Sequence, residues 1–425
     1  MTQRPGIYYS YFAVFIFCAI ALIVPSGYSL GAALLLLGGL YSLLRTPTLC
    51  SQLQRADYWL FAVFFFYAFV LFGSTFYHEG NLRQLDKPLR FLLAPLGLFL
   101  LLRYPVQRTA WWLGTIVGGW GTGLWAMQQK FLLDVERATG YTHKIQYGNL
   151  SMLLGLWCLA GLLWARQQKT HRRLWTAALL SGAVLGILGS LLSGSRGGWV
   201  GLPLVALVFY RAYADLVRKK IQALIALLII ALATIVYYHP ALDVQHRIHE
   251  AVSDVQNYFV EANPNTSLGA RFEMWQAATQ LISERPLLGW GEQGYRQGLQ
   301  RLVDEGTRHS LITRYGQPHN EVLNMFVKHG LLGLLALILI YALPFRLFGQ
   351  GLKASDLSQR ANAVAGVLLA VTFIDFGLTQ GFLTHNSGTM MYAFGTVFLW
   401  GLYRPSLFND PPESAIAPEP GSAQR

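Results

Sequence analysis

Apolar positions fall into long unbroken runs, not into the alternation of half-buried strands or the one-sided stripe of soluble helices. A helix needs about twenty mostly apolar residues to cross a hydrocarbon core. Runs of that order recur near 8–25, 28–45, 58–77, 88–103, 110–128, 148–165, 173–192, 197–213, 221–238, 328–346, 359–377 and 385–403. The pattern predicts an all-α, polytopic membrane protein of about 12 transmembrane helices. Spans one to nine occupy 1–238, a long polar loop 239–320, and spans ten to twelve 321–405. Residues 406–425, rich in Pro, Ser, Ala and acids, read as a disordered tail. The first run is long, lacks a small-residue cleavage site and leads straight into another span, so it is expected to be a retained helix. No repeat of fixed period relates the two halves, which disfavours transport plans built from duplicated halves.

Within the loop, Leu242, Val244, Ile248, Val252, Val255 and Phe259 recur near helical spacing and predict an amphipathic helix over 240–260. A turn follows at Asn263-Pro264-Asn265-Thr266-Ser267. Thr266 or Ser267 then caps a second helix through Ile282, with Phe272, Trp275, Ala278 and Leu281 on one face, ended by Pro286 and Gly289. Both helices are expected to lie against the membrane surface.

Composition agrees with the runs. Only 13% of the 425 residues are charged and 53% are hydrophobic, where a soluble chain carries roughly a quarter charged residues. The net charge of +12 does not require a nucleic-acid partner, because inside loops of membrane proteins collect Lys and Arg. Arg166, Lys169, Arg172 and Arg173, then Arg211, Arg218, Lys219 and Lys220, then Arg346, Lys353 and Arg360 all fall on the side of both termini, which is therefore cytoplasmic. The opposite face receives 78–87, 129–147, 193–196, 239–320 and 378–384. Cys18, Cys50 and Cys158 show neither paired nor metal-ligand spacing.

Cations on that opposite face are informative because the orientation rule does not account for them. Arg196 sits in the small-residue turn Ser193–Trp199, where an arginine near hydrocarbon calls for an anion or a wet cavity. Arg271 falls in the first turns of the second loop helix, a natural phosphate position for a forked donor. Lys87 and Arg90 mark the outer start of the fourth span, as pocket cations or as snorkelling flanks. His319, in Gln317-Pro318-His319-Asn320-Glu321, stands at a membrane–water junction where an imidazole serves as a general base. Asp375, near the outer end of the eleventh span, is expected to meet an arginine of the pocket. Gly289-Trp290-Gly291-Glu292-Gln293-Gly294 fits a dinucleotide fingerprint but follows no strand, so it reads as a turn. The glycosylation sequons at Asn149 and Asn265 read as chance matches.

Ser193–Trp199, Ser267–Trp275, Pro286-Leu287-Leu288-Gly289-Trp290-Gly291 and Pro318–Leu323, in that order and on one face, resemble the O-antigen ligase and polymerase superfamily of bacterial inner-membrane glycosyltransferases. Within it the chain looks most like an O-antigen ligase. The resemblance implies a GT-C-like fold with a periplasmic loop. It also implies transfer of a polysaccharide from undecaprenyl diphosphate to lipid A–core, without a cofactor or required metal and with no nucleic-acid partner. On this likeness Arg196 and Arg271, assisted by Lys87 and Arg90, bind diphosphate. His319 is the base and Asp375 a supporting residue.

Two alternatives stay open. A polysaccharide polymerase or a protein O-oligosaccharyltransferase of the same superfamily shares the lipid-diphosphate grip. A lipid-linked glycan flippase belongs to another class, and spans nearly free of charge except at their ends count against it.

Overall fold

The structure, a computed structural model, describes residues 4–261 and 263–404, apart from the side chains of Arg196 and Ala241. The expected tail lies outside the described residues. The chain runs through α1 (Arg4–Ala19), α2 (Gly27–Arg45), α3 (Arg55–Tyr77), α4 (Asp86–Leu93), α5 (Leu98–Arg103) and α6 (Thr109–Met127). It continues through α7 (Lys144–Gln167), α8 (Arg172–Leu192), α9 (Leu202–Tyr213) and α10 (Lys219–Tyr238). The loop carries α11 (Val244–Val260), α12 (Ser267–Glu284) and α13 (Gly291–Asp304), and α14 (Glu321–Gly349), α15 (Leu357–Gly377) and α16 (Asn386–Tyr403) close the bundle. No strand occurs among the described residues.

Helix occupies all twelve predicted runs. By length and apolarity alone seven described helices qualify to cross a membrane: α2, α3, α7, α8, α10, α14 and α15. The others have local reasons to fall short. Pro95 splits the fourth run into α4 and α5, since proline has no N–H and clashes with the preceding turn. α1 and α9 are short, while glycine and threonine dilute α6 and α16.

α7 and α15 are buried along nearly their whole length, and Trp157 Nε1 on α7 donates to the Ala365 carbonyl of α15 at 2.9 Å. α10 buries none of its apolar side chains in the protein, as expected of a helix whose solvent is lipid.

The loop differs from expectation in two respects. α11 matches its predicted helix and leaves Ile248, Val252, Val255 and Phe259 exposed, an apolar stripe free to meet a membrane surface. α12 buries Ala270, Met274, Ala277, Ala278 and Leu281 against α13, the turn at Ser310–Arg314 and Val327 of α14, forming a second small core in which Ala278 and Leu281 of the predicted face take part. Phe272 and Trp275 turn the other way: Phe272 packs on Tyr258 and Phe259, and Trp275 reaches Pro318. Gly291, expected in a turn, opens the unpredicted helix α13.

A break in α14 seats this loop. Gly330 takes φ +64 inside the helix, which frees backbone groups for the Pro286–Trp290 turn. Leu331 N donates to Pro286 O at 2.8 Å and Trp290 N to Val327 O at 2.9 Å. Gly289, at φ +71, lets the turn approach so closely that a Cβ there would lie 2.6 Å from Lys328 O. A side chain on Gly330 would overlap the Leu287 carbonyl oxygen. Gly330→Ala is therefore expected to destabilise the protein by at least the ~1–3 kcal/mol of a strained backbone position and to loosen the loop. A lowered melting midpoint and faster proteolysis within 285–330 would register this, and an unchanged melt with an intact loop would contradict it.

Candidate active site

The Pro318–Glu321 motif gives each residue a distinct anchor. Pro318 O accepts from Trp275 Nε1 at 2.9 Å, tying the turn to α12. Asn320 caps α14, its Oδ1 accepting from Leu323 N at 3.1 Å. Glu321 Oε2 accepts from Leu383 N at 2.8 Å, tying it to the α15–α16 connection. Between these anchors His319 is held at φ +51, a left-handed conformation that non-glycine residues adopt only when their surroundings enforce it.

The imidazole meets two residues that the sequence reading passed over. Gln380 Oε1 accepts from His319 Nδ1 at 2.5 Å, and Gln380 Nε2 donates to His385 Nε2 at 2.9 Å. An amide oxygen only accepts, so the hydrogen of neutral His319 sits on Nδ1 and its lone pair on Nε2. The ring of Tyr315 stands edge-on to His319 at 5.6 Å, and His143 stacks with His385 at 6.3 Å.

Cations surround this chain of groups. Arg271, one helical turn before Trp275 on the same face of α12, is close enough for its charge to act on His319. Burial, and then Arg271, push the His319 pKa below the ordinary 6.5, against the opposing pull of the Gln380 hydrogen bond. His143 is likewise lowered, by burial first and then by Lys144 and Arg137. Lys87, His143 and His385 line one cavity of about 330 Å³. Arg137 donates to the carbonyls of Ser193 (2.9 Å) and Gly194 (2.7 Å), which brings the Ser193–Trp199 turn to the same end of the bundle. Segments 78–87, 129–147, 193–196, 239–320 and 378–384 thus converge at one place.

The predicted residues fare differently. His319 and Arg271 come together, while Lys87 stands by His385, close enough for its charge to act on it, and lines a cavity with His385 and His143 that neither His319 nor Arg271 lines. Arg90 pairs with Asp86 at 2.6 Å and reaches Asn386 O at 3.4 Å. Asp375 is buried against Gly201, where a Cβ would lie 2.5 Å from its carboxyl carbon, and no arginine pairs with it among the described residues. The side chain of Arg196 lies outside the described residues, and its backbone opens a short 3-10 turn. Asn149 is fully buried and accepts from Ser195 Oγ at 3.2 Å, which suits a packing residue better than a glycan acceptor. Among the described residues no group of three or more His, Cys, Asp or Glu side chains is placed to hold a metal ion.

A family model described as O-antigen ligase matches residues 182–338, from α8 through the loop into α14. An uncharacterized protein of Haemophilus influenzae is 32% identical over 380 residues, spanning 89% of this chain and 94% of that protein. Over residues 182–338, little more than a third of its length, the chain is similar to the O-antigen ligase family. An O-antigen ligase of Escherichia coli is 27% identical over 232 residues, 54% of this chain and 51% of that ligase. One of Pseudomonas aeruginosa is 30% identical over 207 residues, 48% of this chain and 41% of that ligase. The alignments thus span about half or less of the two named ligases. This similarity to O-antigen ligases supports a ligase- or polymerase-like role in lipopolysaccharide biosynthesis.

Arg196, Arg271 and His319 lie inside the segment matched by the O-antigen ligase model, whereas Lys87, His143, Gln380 and His385 lie outside it. The signal for the last three was present but faint. Each is a polar residue in a short connection between long apolar runs, where an ordinary helix flank looks the same in one dimension.

Proposed function

We propose that this protein is a metal-independent glycosyltransferase of the inner membrane that joins O-antigen polysaccharide, carried on undecaprenyl diphosphate, to lipid A–core at the periplasmic face. The observation that carries the reading is the His319–Gln380–His385 chain set among Arg271, Lys87 and Arg137 where five connecting segments meet.

His319 Nε2 takes the proton of the acceptor hydroxyl as its oxygen attacks the anomeric carbon. The bond from that carbon to the diphosphate oxygen breaks, and the diphosphate leaves with the electron pair. Arg196, Arg271 and Lys87 stabilise the growing charge, an electrostatic role that fixed cations fill in a partly water-excluded site. A single displacement inverts the anomeric configuration. Both substrates are lipid-anchored, which suits a centre at the rim of a helix bundle, with the stripe of α11 on the membrane surface.

The test offers purified protein the lipid-linked glycan with lipid A–core, with a second lipid-linked repeat, or with an acceptor protein. Product on lipid A–core, in detergent and with inverted configuration, is expected; product only on the second repeat would make it a polymerase. The pH profile follows from His319. The base works when unprotonated and its pKa is lowered, so the acidic limb of acceptor kcat/KM is centred below pH 6.5. An acidic limb centred above 6.5 would remove His319 as that base.

A further inference from the structure

A second cavity, of about 390 Å³, lies between α3, α4, α13 and α14 and shares Lys87 and Thr384 with the cationic one. Beside Lys87, Arg296, Lys328 and His329, its polar lining brings in two carboxyl groups that the first cavity lacks, Glu292 and Glu321, together with the amides of Gln84, Gln317 and Asn324. The volume falls in the roughly 300–1,000 Å³ range of small-ligand sites. Gln317 precedes His319 by two residues, and its Oε1 accepts from Thr384 Oγ1 at 3.3 Å, so the cavity abuts the proposed base.

Two features select the ligand. The first is unmet hydrogen-bonding capacity. Asn324 is 3% exposed and Glu321 1%, both line the cavity, and Asn324 Oδ1 and Glu321 Oε1 have no hydrogen-bond partner. Buried polar atoms left unsatisfied destabilise a protein and are rare, so oxygens at a cavity wall call for donors from a ligand. The second is charge. Lys328 Nζ is engaged by Glu292 at 2.5 Å and by Gly316 O at 2.9 Å, and Arg296 pairs with Glu292 at 3.1 Å. Lys328 and Arg296 are thus both engaged by Glu292, and Glu321 adds a second carboxyl group. Lys87, at the edge shared with the cationic cavity, stands outside this cluster, so the buried wall away from Lys87 offers carboxyl and amide oxygens. Hydroxyl groups, which both donate and accept, suit amides and carboxylates, while Tyr67 and Leu71 supply an apolar wall for the C–H face of a sugar ring.

We propose that this cavity is a saccharide subsite that holds the terminal sugar of the acceptor by its hydroxyls and presents it to His319. The assignment to the acceptor rests on the glycosyl-transfer reading above; the binding of saccharide does not.

The full-length protein in lipid nanodiscs is mixed with the core oligosaccharide released from lipid A, and bound sugar is read by saturation-transfer NMR. Acceptor and donor KM are measured in parallel with intact lipid A–core. Asn324→Leu is nearly isosteric and removes an unpartnered amide oxygen, so the melting midpoint should not fall. The saturation-transfer signal should drop at least fivefold and acceptor KM rise at least tenfold, with donor KM within twofold of wild type. Gln84→Ala, outside the buried core, should raise acceptor KM about threefold should Asn324→Leu fold poorly. Unchanged sugar binding and acceptor KM in both variants overturn the subsite alone, as does a rise confined to donor KM. A wild-type protein that binds the oligosaccharide but makes no product on lipid A–core overturns the transferase reading and leaves the subsite standing.

Discussion

His319→Ala is expected to abolish glycan transfer, lowering kcat by ~10²–10⁴-fold, the usual contribution of a positioned general base, while the lipid-diphosphate donor still binds. The expectation follows from how the residue is held. Trp275, Asn320 and Glu321 anchor the turn on both sides, and Gln380 fixes the tautomer that presents Nε2. These anchors use Pro318 O and the neighbouring side chains rather than the imidazole, so the turn should survive its loss. Single-turnover transfer rates and donor binding by the purified variant, measured together, check the claim. Full activity in the variant would assign the proton transfer elsewhere, and loss of donor binding would make His319 part of the diphosphate grip.

Much of the helical layout is readable from hydrophobic length, because a run of lipid-facing or buried apolar residues has few ways to satisfy its backbone other than helix. Length reports the solvent, however, and not the partner. It does not distinguish α10, which buries nothing, from α7, which is buried throughout. Nor does it reveal the break at Gly330, since a glycine inside an apolar run also occurs in unbroken helices. In α12 the predicted face is half right: Ala278 and Leu281 pack into the small core with Ala270, Met274 and Ala277, while Phe272 and Trp275 face Tyr258, Phe259 and Pro318 instead. At the centre, His319 and Arg271 were legible from their motifs. Gln380 and His385 were not, because their importance comes from meeting a residue about sixty positions away, which only the fold brings near. Arg90, a cation at a span end, is equally readable as ligand or flank, and its Asp86 partner lies one turn away.

Arg271→Lys should lower kcat/KM by ~10²–10³-fold, the loss typical of removing one preorganised donor to a developing anion, even though the formal charge is kept. A guanidinium offers a rigid fork that can grip two phosphate oxygens at once, whereas an ammonium offers one compact, strongly hydrated charge. Comparison with Arg271→Gln separates geometry from charge. In the wild type the Arg271 charge helps hold the His319 pKa down. Lysine retains that repulsion, so the acidic limb of the rate profile should stay in place while the rate falls. Glutamine removes it, so the protonated imidazole is less disfavoured and the limb should move up towards 6.5, with a rate loss at least as large. Near-normal turnover in Arg271→Lys would reduce Arg271 to a source of field. An identical limb in all three proteins would show that its charge does not reach the base, and the grouping of α12 with His319 as one catalytic unit would then fail.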